Sequence, residues 1–545
     1  MFSLVPKNLI AQQPTVGLLQ YDQEQEQQSG YVFFAPVYST ISYLIDKCGQ
    51  QVHSWKSKYT PGFTATLLND GSLLRSGVVE NPVFNAPGGG GIIEKIGWDG
   101  TIDWSYRISD SSIRQHHAIT PMPNGNILAL VWEKKTNQEA IAMGRNPAKV
   151  GEVLWSEKIV EIKPNGFNSG TIVWEWKLWD HLIQNFDNER INFSPISEHP
   201  ELIDINYITN ANQKDPDWIH SNAIDYNPEL DQIILSAHSF NEIWIIDHST
   251  TTEQAATHSG GKSNKGGDII YRWGNPAAYD RGTPADKKLF GQHDPQWIRR
   301  GLPDEGKIII FNNGMGRMGN YSSIDILAPI MDNYGNYKLE TNNTYAPLLP
   351  EWTYTDPIRS NFFAFNQSGA QRLPNGNLLV CVSTTGTFFE VTPDKKIIWK
   401  YICPVTLTGI TKQGDKPTGN SSFRVELFPK NFIGFEGRDL TPSNPIELQP
   451  LPSLCTTTSV KADNETNSLK IYPNPVEEIL QIQFGTTIPT EVSLISSLGE
   501  VVLSQKINSG KESCSLDIRI IPAGMYILKL VSPISTSVEK VMIVR

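Results

Sequence analysis

Cysteine is scarce in this chain. Its five residues, Cys48, Cys381, Cys403, Cys455 and Cys514, are scattered through 545 positions with no CxxC pair and no histidine at zinc-finger spacing. A dispersed, odd-numbered set leaves at least one thiol unpaired and argues against a disulfide scaffold. Long apolar runs are also missing. Nothing approaches the ~18–20 residues of a membrane-crossing helix, so no membrane span is expected. Basic charge is outweighed, Lys+Arg 46 against Asp+Glu 57, giving a formal net charge of −11. That argues against a general nucleic-acid binder, which needs a basic face. Helical periodicity is scarce too. A composition of 39% hydrophobic and 19% charged residues excludes a disordered, collagen-like or coiled-coil chain.

What is present is a weak repeat. A tryptophan closes a short β-like run at Trp55, Trp104, Trp174 and Trp176, Trp273, Trp352 and Trp399. Turns followed by aliphatic runs come after them: Asn69-Asp70-Gly71, Pro123–Asn126, Glu229–Asp231, Asp304–Gly306 and Pro374–Asn377. Asn-Gly and Asp-Gly tolerate positive φ and are strong hairpin signals. The length exceeds the ~250–300 residues at which a single core stops growing, and radial repetition escapes that limit. The expectation is an all-β chain, a six-bladed β-propeller over residues 14–440. The insertions Asn185–Asn212 and Ser259–Asp268 read as surface excursions. Gly88–Gly91 reads as a tight turn, because no Lys-Ser/Thr follows to make a phosphate loop.

Composition shifts near Leu440. Residues 441–468 are rich in Pro, Ser, Thr and Asn and read as a linker, and 469–545 as a small C-terminal β-sandwich of alternating strands. The tail carries Tyr472-Pro473-Asn474-Pro475, Ser497-Leu498-Gly499, Pro522–Tyr526 and a final Lys540–Arg545 strand. It resembles the type A sorting domain of the Bacteroidetes type IX secretion system. The resemblance implies export, by the type IX machinery, to a secreted, cell-surface or periplasmic location. Residues 1–13 lack the apolar centre of an intact signal peptide and read as a cytosolic start or a signal-peptide remnant. The sorting tail favours the remnant.

Of ten histidines, His53, His181, His199, His248 and His258 show no companion pattern. His116 and His117, His220 and His293 each follow a Trp strand and precede the next turn, the phase at which a blade's innermost strand starts. Three successive blades would then point imidazoles into one funnel. Histidine ligates metals, but no carboxylate spacing or HxH pair supports a metal set here. It also serves as a nucleophile. Asn222, two residues after His220, shares its face on an extended segment and could stabilise oxygens of a transferred group.

The segments HHAITPMPNGNIL, DWIHSNAIDYNPELDQIILSAHS and FGQHDPQWI resemble the bacterial arylsulfate sulfotransferases. The resemblance implies a six-bladed propeller that moves a sulfuryl group between phenols without a nucleotide donor. It assigns the nucleophile to His293, and places His117 or His116, and His220 with Asn222, around the sulfate oxygens. Ser368–Leu379 matches the family's Gly-Asn strand, and the family's N-terminal β-sandwich has no counterpart ahead of Trp55. One departure stands out: His238 occupies the place of a family arginine. Imidazole is charged only below about pH 6.5 and offers one donor per nitrogen, where a guanidinium grips two oxygens. Arg317 is a candidate for the missing charge, and Trp218, Phe240, Phe290 and Trp297 for stacking on a phenol.

The expected activity is aryl-sulfate sulfotransferase, ping-pong through a sulfohistidine, with an aryl sulfate donor, a phenolic acceptor and no cofactor or metal. Homodimerisation is left open. The alternative is a non-catalytic surface propeller that binds small aromatic or sulfated ligands. A quinone-dependent dehydrogenase lacks its metal-binding carboxylates here.

Overall fold

The computed structural model of the chain describes residues 13–22, 30–207, 212, 214–340, 343–452, 454–455, 469–484, 488–496, 500–508, 511–532 and 536–545. They fall into two compact units, Met1–Cys455 and Thr456–Arg545. The fold is all-β. The α-helical segments among the described residues are Asn137–Ala142 and Thr252–Ala255, and no helix is long and apolar enough to cross a membrane.

In the first unit, six antiparallel sheets of four or five strands follow one another along the chain, beside two minor two-stranded pairs. Their first strands are β1 (Pro61–Leu67), β2 (Ile113–Pro121), β3 (Ser221–Asn227), β4 (His293–Trp297), β5 (Gly369–Arg372) and β6 (Ser422–Pro429). Each of β1 to β5 starts a run of four strands in sequence order. The β6 strand comes from the end of the unit and pairs with Gly30–Pro36, which continues into Ile41–Asp46 and Gln51–Lys56. Gly17–Tyr21 adds a fifth strand to the sheet begun by β5, so two sheets join early and late chain. Neighbouring first strands touch in a closed circuit, β1 to β2 and onward to β6 and back to β1.

The sequence explains this arrangement. Strands such as Ile308–Asn312 and Glu242–Asp247 are buried along their whole length, because both sheet faces are covered. β-Branched and aromatic residues suit that environment. Six apolar clusters each fill the layer between two adjacent sheets. The repeating tryptophans lie in the fourth strand of each sheet, and the turn residues join first strand to second. Gly71, Gly125, Asp231, Gly306 and Gly376 have positive φ there, the conformation their turn chemistry predicts.

Three expectations change. Cys48 and Cys455 form a disulfide, while Cys381, Cys403 and Cys514 are free and buried. Sequence spacing could not show that pair, since 407 positions separate its members. The first unit extends past Leu440 to Cys455: Pro445 bridges to Gln50, and Ile446 is buried among core residues. The 185–212 insertion is also more than a surface excursion. It buries Ile196, Ile203 and Ile205 in the core, with 208–211 outside the described residues.

The second unit holds a three-stranded and a four-stranded antiparallel sheet around one shared apolar cluster that includes Leu480, Ile482, Leu494, Leu516 and Leu528. Pro522–Tyr526 leads into the strand Gly524–Val531, and the tail ends on Thr536–Ile543. Ser497–Gly499 lies outside the described residues.

Candidate active site

Five of the six inner strands are irregular near their starts, and the sixth, β5, follows two left-handed residues. Register slips occur at β1 between Pro61 and Ala65, at β2 opposite Ala129–Val131, and at β3 between Ser221 and Ala223. They recur at β4 between His293 and Gln296, and at β6 opposite Phe34–Pro36. The backbone is left-handed at Phe63 (φ 85°), His117 (45°), His220 (52°) and Asp294 (55°), and at Gln367 and Ser368 (54° and 82°) just before β5. Such conformations cost of order 1–3 kcal/mol each at non-glycine residues. Bulges re-aim side chains, and here they turn a ring of side chains toward one end of the inner circuit.

The result is a chain of imidazoles. Ring centroids lie 4.7 Å apart for His117 and His220, 5.2 Å for His220 and His238, and 5.4 Å for His238 and His293. His116 stands behind His117: its Nδ1 is 3.0 Å from His117 Nδ1, its Nε2 is 2.9 Å from Glu157, and its ring stacks on Trp132 at 4.1 Å. Glu157 also accepts from the Ser221 amide at 2.9 Å, which ties β3 to the same carboxylate. The Gly88–Gly91 run makes this packing feasible. A Cβ on Gly88 would fall 1.9 Å from the His117 ring, and one on Gly90 2.2 Å from Gln115. The run is a close-approach surface for β2 as well as a turn.

His293 is held at both nitrogens. Nδ1 faces Asn313 Oδ1 at 2.9 Å and the Gly291 carbonyl at 3.1 Å, and Nε2 accepts from the Gln367 amide at 3.0 Å. Two acceptors at Nδ1 and a donor at Nε2 fix the neutral tautomer with its proton on Nδ1. Burial pushes the His293 pKa down to about 3, and the His220 and Arg424 charges push the same way against the Asn313 bond. His117 and His238 are also held well below 6.5, by burial first and then by neighbouring imidazoles. His220 goes the other way. Burial opposes its charge, but Asp217, 2.5 Å from Nδ1, outweighs that and raises the pKa, with Glu157 and Asp215 assisting.

Asn222 donates to the Gln292 carbonyl at 2.9 Å, and its buried Oδ1 has no hydrogen-bond partner among the described residues. Arg317 bonds the Tyr321 carbonyl and Ser323 and lies over the Phe290 and Tyr321 rings. The guanidinium whose charge reaches His293 is Arg424, on β6. Its Nε is ion-paired with Asp294 Oδ1 at 2.9 Å but off the hydrogen-bond line, and Nε and Nη2 have no hydrogen-bond partner among the described residues. Trp218, Phe240 and Trp297 are buried among core residues. The aromatic rings beside the histidines are Phe63 and Phe423, stacked on each other at 4.7 Å, with Phe63 5.5 Å from His117.

A cavity of about 260 Å³ runs between the inner strands, lined by Thr64, Asp225, Asp294, Arg424 and Glu426 among others. Burial raises the pKa of Asp294 to about 6 and of Glu426 to about 7. A larger cavity, about 1100 Å³, lies at the far ends of the inner strands, where Met122, Asn227 and Arg300 line it. It is remote from the histidine chain and holds none of these imidazoles.

The sequence model of the family described as Arylsulfotransferase (ASST) matches residues 90–427, and that of the Secretion system C-terminal sorting domain matches residues 470–544. No curated protein sequence matches the chain. Among solved structures, a protein of unknown function from Bacteroides caccae is 10% identical at a TM-score of 0.38, covering 73% of this chain and 98% of its own. A streptogramin B lyase is 12% identical at 0.34, covering 77% and 95%. The virginiamycin B lyase of Staphylococcus aureus is 12% identical at 0.31, covering 71% and 88%.

Proposed function

Because the chain belongs to the arylsulfotransferase family, we propose that it transfers a sulfuryl group from an aryl sulfate to a phenol through a covalent adduct on His293. The observation that carries this reading is geometric: His293, with acceptors at Nδ1 and a donor at Nε2, stands in one chain of ring contacts with His220, whose Nδ1 faces Asp217 at 2.5 Å. Nε2 of His293 attacks sulfur as the S–O bond to the aryl oxygen breaks, and the departing phenolate takes a proton from His220. Nδ1 keeps its proton and donates it in hydrogen bonds to Asn313 Oδ1 and the Gly291 carbonyl, which stabilises the positive ring of the adduct. An acceptor phenol then gives its proton back to His220 and attacks sulfur, which frees His293. The kinetics are ping-pong.

The resting Nε2 lone pair is capped by the Gln367 amide, so the sulfuryl group enters by displacing that hydrogen bond. With His238 held neutral, positive charge for the sulfate oxygens comes from His220 and from Arg424, whose guanidinium is ion-paired with Asp294 through Nε and keeps Nη2 free of hydrogen bonds among the described residues. The six consecutive sheets and their closed inner circuit support a six-bladed propeller over residues 14–440 and its extension to Cys455. Two sheets around one cluster support a C-terminal sandwich. The sorting-domain match implies an exported protein, secreted or at the cell surface, delivered by type IX machinery.

The test is intact mass after brief exposure to 4-nitrophenyl sulfate. Wild type is expected to gain ~80 Da with release of nitrophenol, and His293→Ala to gain nothing. No adduct and no turnover in wild type between about pH 5 and 8 would overturn the reading and leave a ligand-binding propeller in its place.

A further inference from the structure

Two histidines without companions in the sequence turn out to share one. Nδ1 of His181 and Nδ1 of His258 each lie 2.8 Å from the same oxygen of Asp268, and the three ligand atoms lie within 4.8 Å of one another. His181 Nε2 meanwhile lies 2.9 Å from the Ala255 carbonyl. A carbonyl only accepts, so it takes the Nε2 proton and leaves a lone pair on Nδ1 facing a carboxylate. Two electron pairs face each other stably only with a cation between them, either a second ring proton or a metal ion.

Three features favour the metal. Two imidazoles converge on one carboxylate oxygen, where a single imidazolium would suffice for an ion pair. A metal-bound histidine characteristically donates its other N–H to a carbonyl or carboxylate, as His181 does to Ala255. The surroundings are also built around the ring. Trp176 is stacked parallel to His181 and donates to the Gly267 carbonyl at 2.7 Å, and a Cβ on Gly267 would fall 2.6 Å from His181 Nε2. His181 and Asp268 are buried, whereas His258 is 62% exposed, which leaves a path for an ion and room for water as a further ligand.

We infer that His181, His258 and Asp268 form a binding site for a divalent transition metal of the zinc class. The N,N,O donor set with an open position suits Zn²⁺. His181 follows the outer strand Ser169–Lys177 of one sheet, and Asp268 immediately precedes the outer strand Ile269–Trp273 of the next. The ion therefore staples two neighbouring sheets at their rim and anchors the glycine-rich 259–268 segment.

The test uses untagged full-length protein treated with a chelator and titrated with Zn²⁺ by calorimetry, with Co²⁺ absorption as a report on geometry. Wild type is expected to bind a single ion per chain, with a tetrahedral Co²⁺ spectrum and a higher Tm when loaded. His258→Ala removes an exposed ring, so the fold persists, and its affinity is expected to fall at least ~10-fold, with Asp268→Asn behaving alike. Absence of binding by wild type, or equal binding by His258→Ala, would show a proton-bridged ion pair and overturn the inference.

Discussion

Asp217 Oδ2 lies 2.5 Å from Nδ1 of His220, a carboxylate partner that His293 lacks. That contact pushes the His220 pKa up while burial pushes that of His293 down to about 3, so two neighbouring imidazoles are driven in opposite directions. Pairs whose environments drive their pKa values apart mark the acid and the base of a reaction.

The rate should therefore follow a bell in pH. Its acid limb reports His293, near 3, and its alkaline limb reports His220, above 6.5. Asp217→Asn removes the charge that raises His220, so the alkaline limb moves to lower pH. At neutral pH kcat falls ~10²-fold or more, as expected for loss of a general acid. A kcat/KM profile of both proteins checks this, and an unmoved alkaline limb would count against His220.

Asn313→Ala should lower kcat with little effect on KM. It frees the His293 ring, and a misplaced reacting group costs ~10²-fold. The same side chain donates to the Ala364 and Gln367 carbonyls, so a loss of about 1–3 kcal/mol in stability accompanies it. Single-turnover adduct formation, read beside a denaturation curve, separates the two effects.

Phe63→Ala should raise KM for an aryl substrate ~3–10-fold, the range for an aromatic pair worth 0.5–1.5 kcal/mol. Phe63 is half-buried and stacks on Phe423 beside His117, so its loss removes a ring platform and leaves the core intact. Comparing phenols with one and two fused rings checks it, and equal KM changes for a non-aromatic acceptor would refute it.

Much of this was readable beforehand. The Trp repeat and its turns announced six sheets because both features recur at fixed strands, and His293, His220 and His117 stood at a consistent phase. Asp217 and Asn313 were missed, although a local signal existed for each: Asp217 stands three residues before His220, and Asn313 lies in the Phe-Asn-Asn-Gly run. Phe423 and Arg424 had no such signal, because nothing local marks the strand that closes the circuit. The pairing of His181 with His258 depends on two loops meeting across neighbouring sheets, and the Cys48–Cys455 link likewise has no local signal.

Acid should destabilise the first unit through its neutral histidines. His117, His238 and His293 are depressed in the fold, so below about 6.5 the unfolded chain binds more protons, for His293 down to about 3, and stability is lost as pH falls. Asp294 and Glu426, raised to about 6 and 7, act with the opposite sign and lose stability as pH rises. His238→Gln should therefore show a shallower fall in Tm below pH 6.5 than wild type. Parallel thermal melts from pH 4 to 8 provide the comparison.

Reduction should lower the Tm of the first unit. A native disulfide is typically worth ~2–4 kcal/mol, and the loop closed by Cys48 and Cys455 is long. Cys455→Ser should reproduce the shift and abolish any further effect of reductant, whereas an unchanged Tm in wild type would exclude a structural link.

The closing strand β6 carries Phe423 and Arg424 to the histidines, yet it pairs with Gly30–Pro36, which the ribosome makes hundreds of residues earlier. A chain still lacking residues 422–429 therefore holds all of its histidines but neither Phe423 nor Arg424 beside them. On the proposed mechanism, transfer awaits that strand, and a chain interrupted before residue 422 is expected to form no adduct.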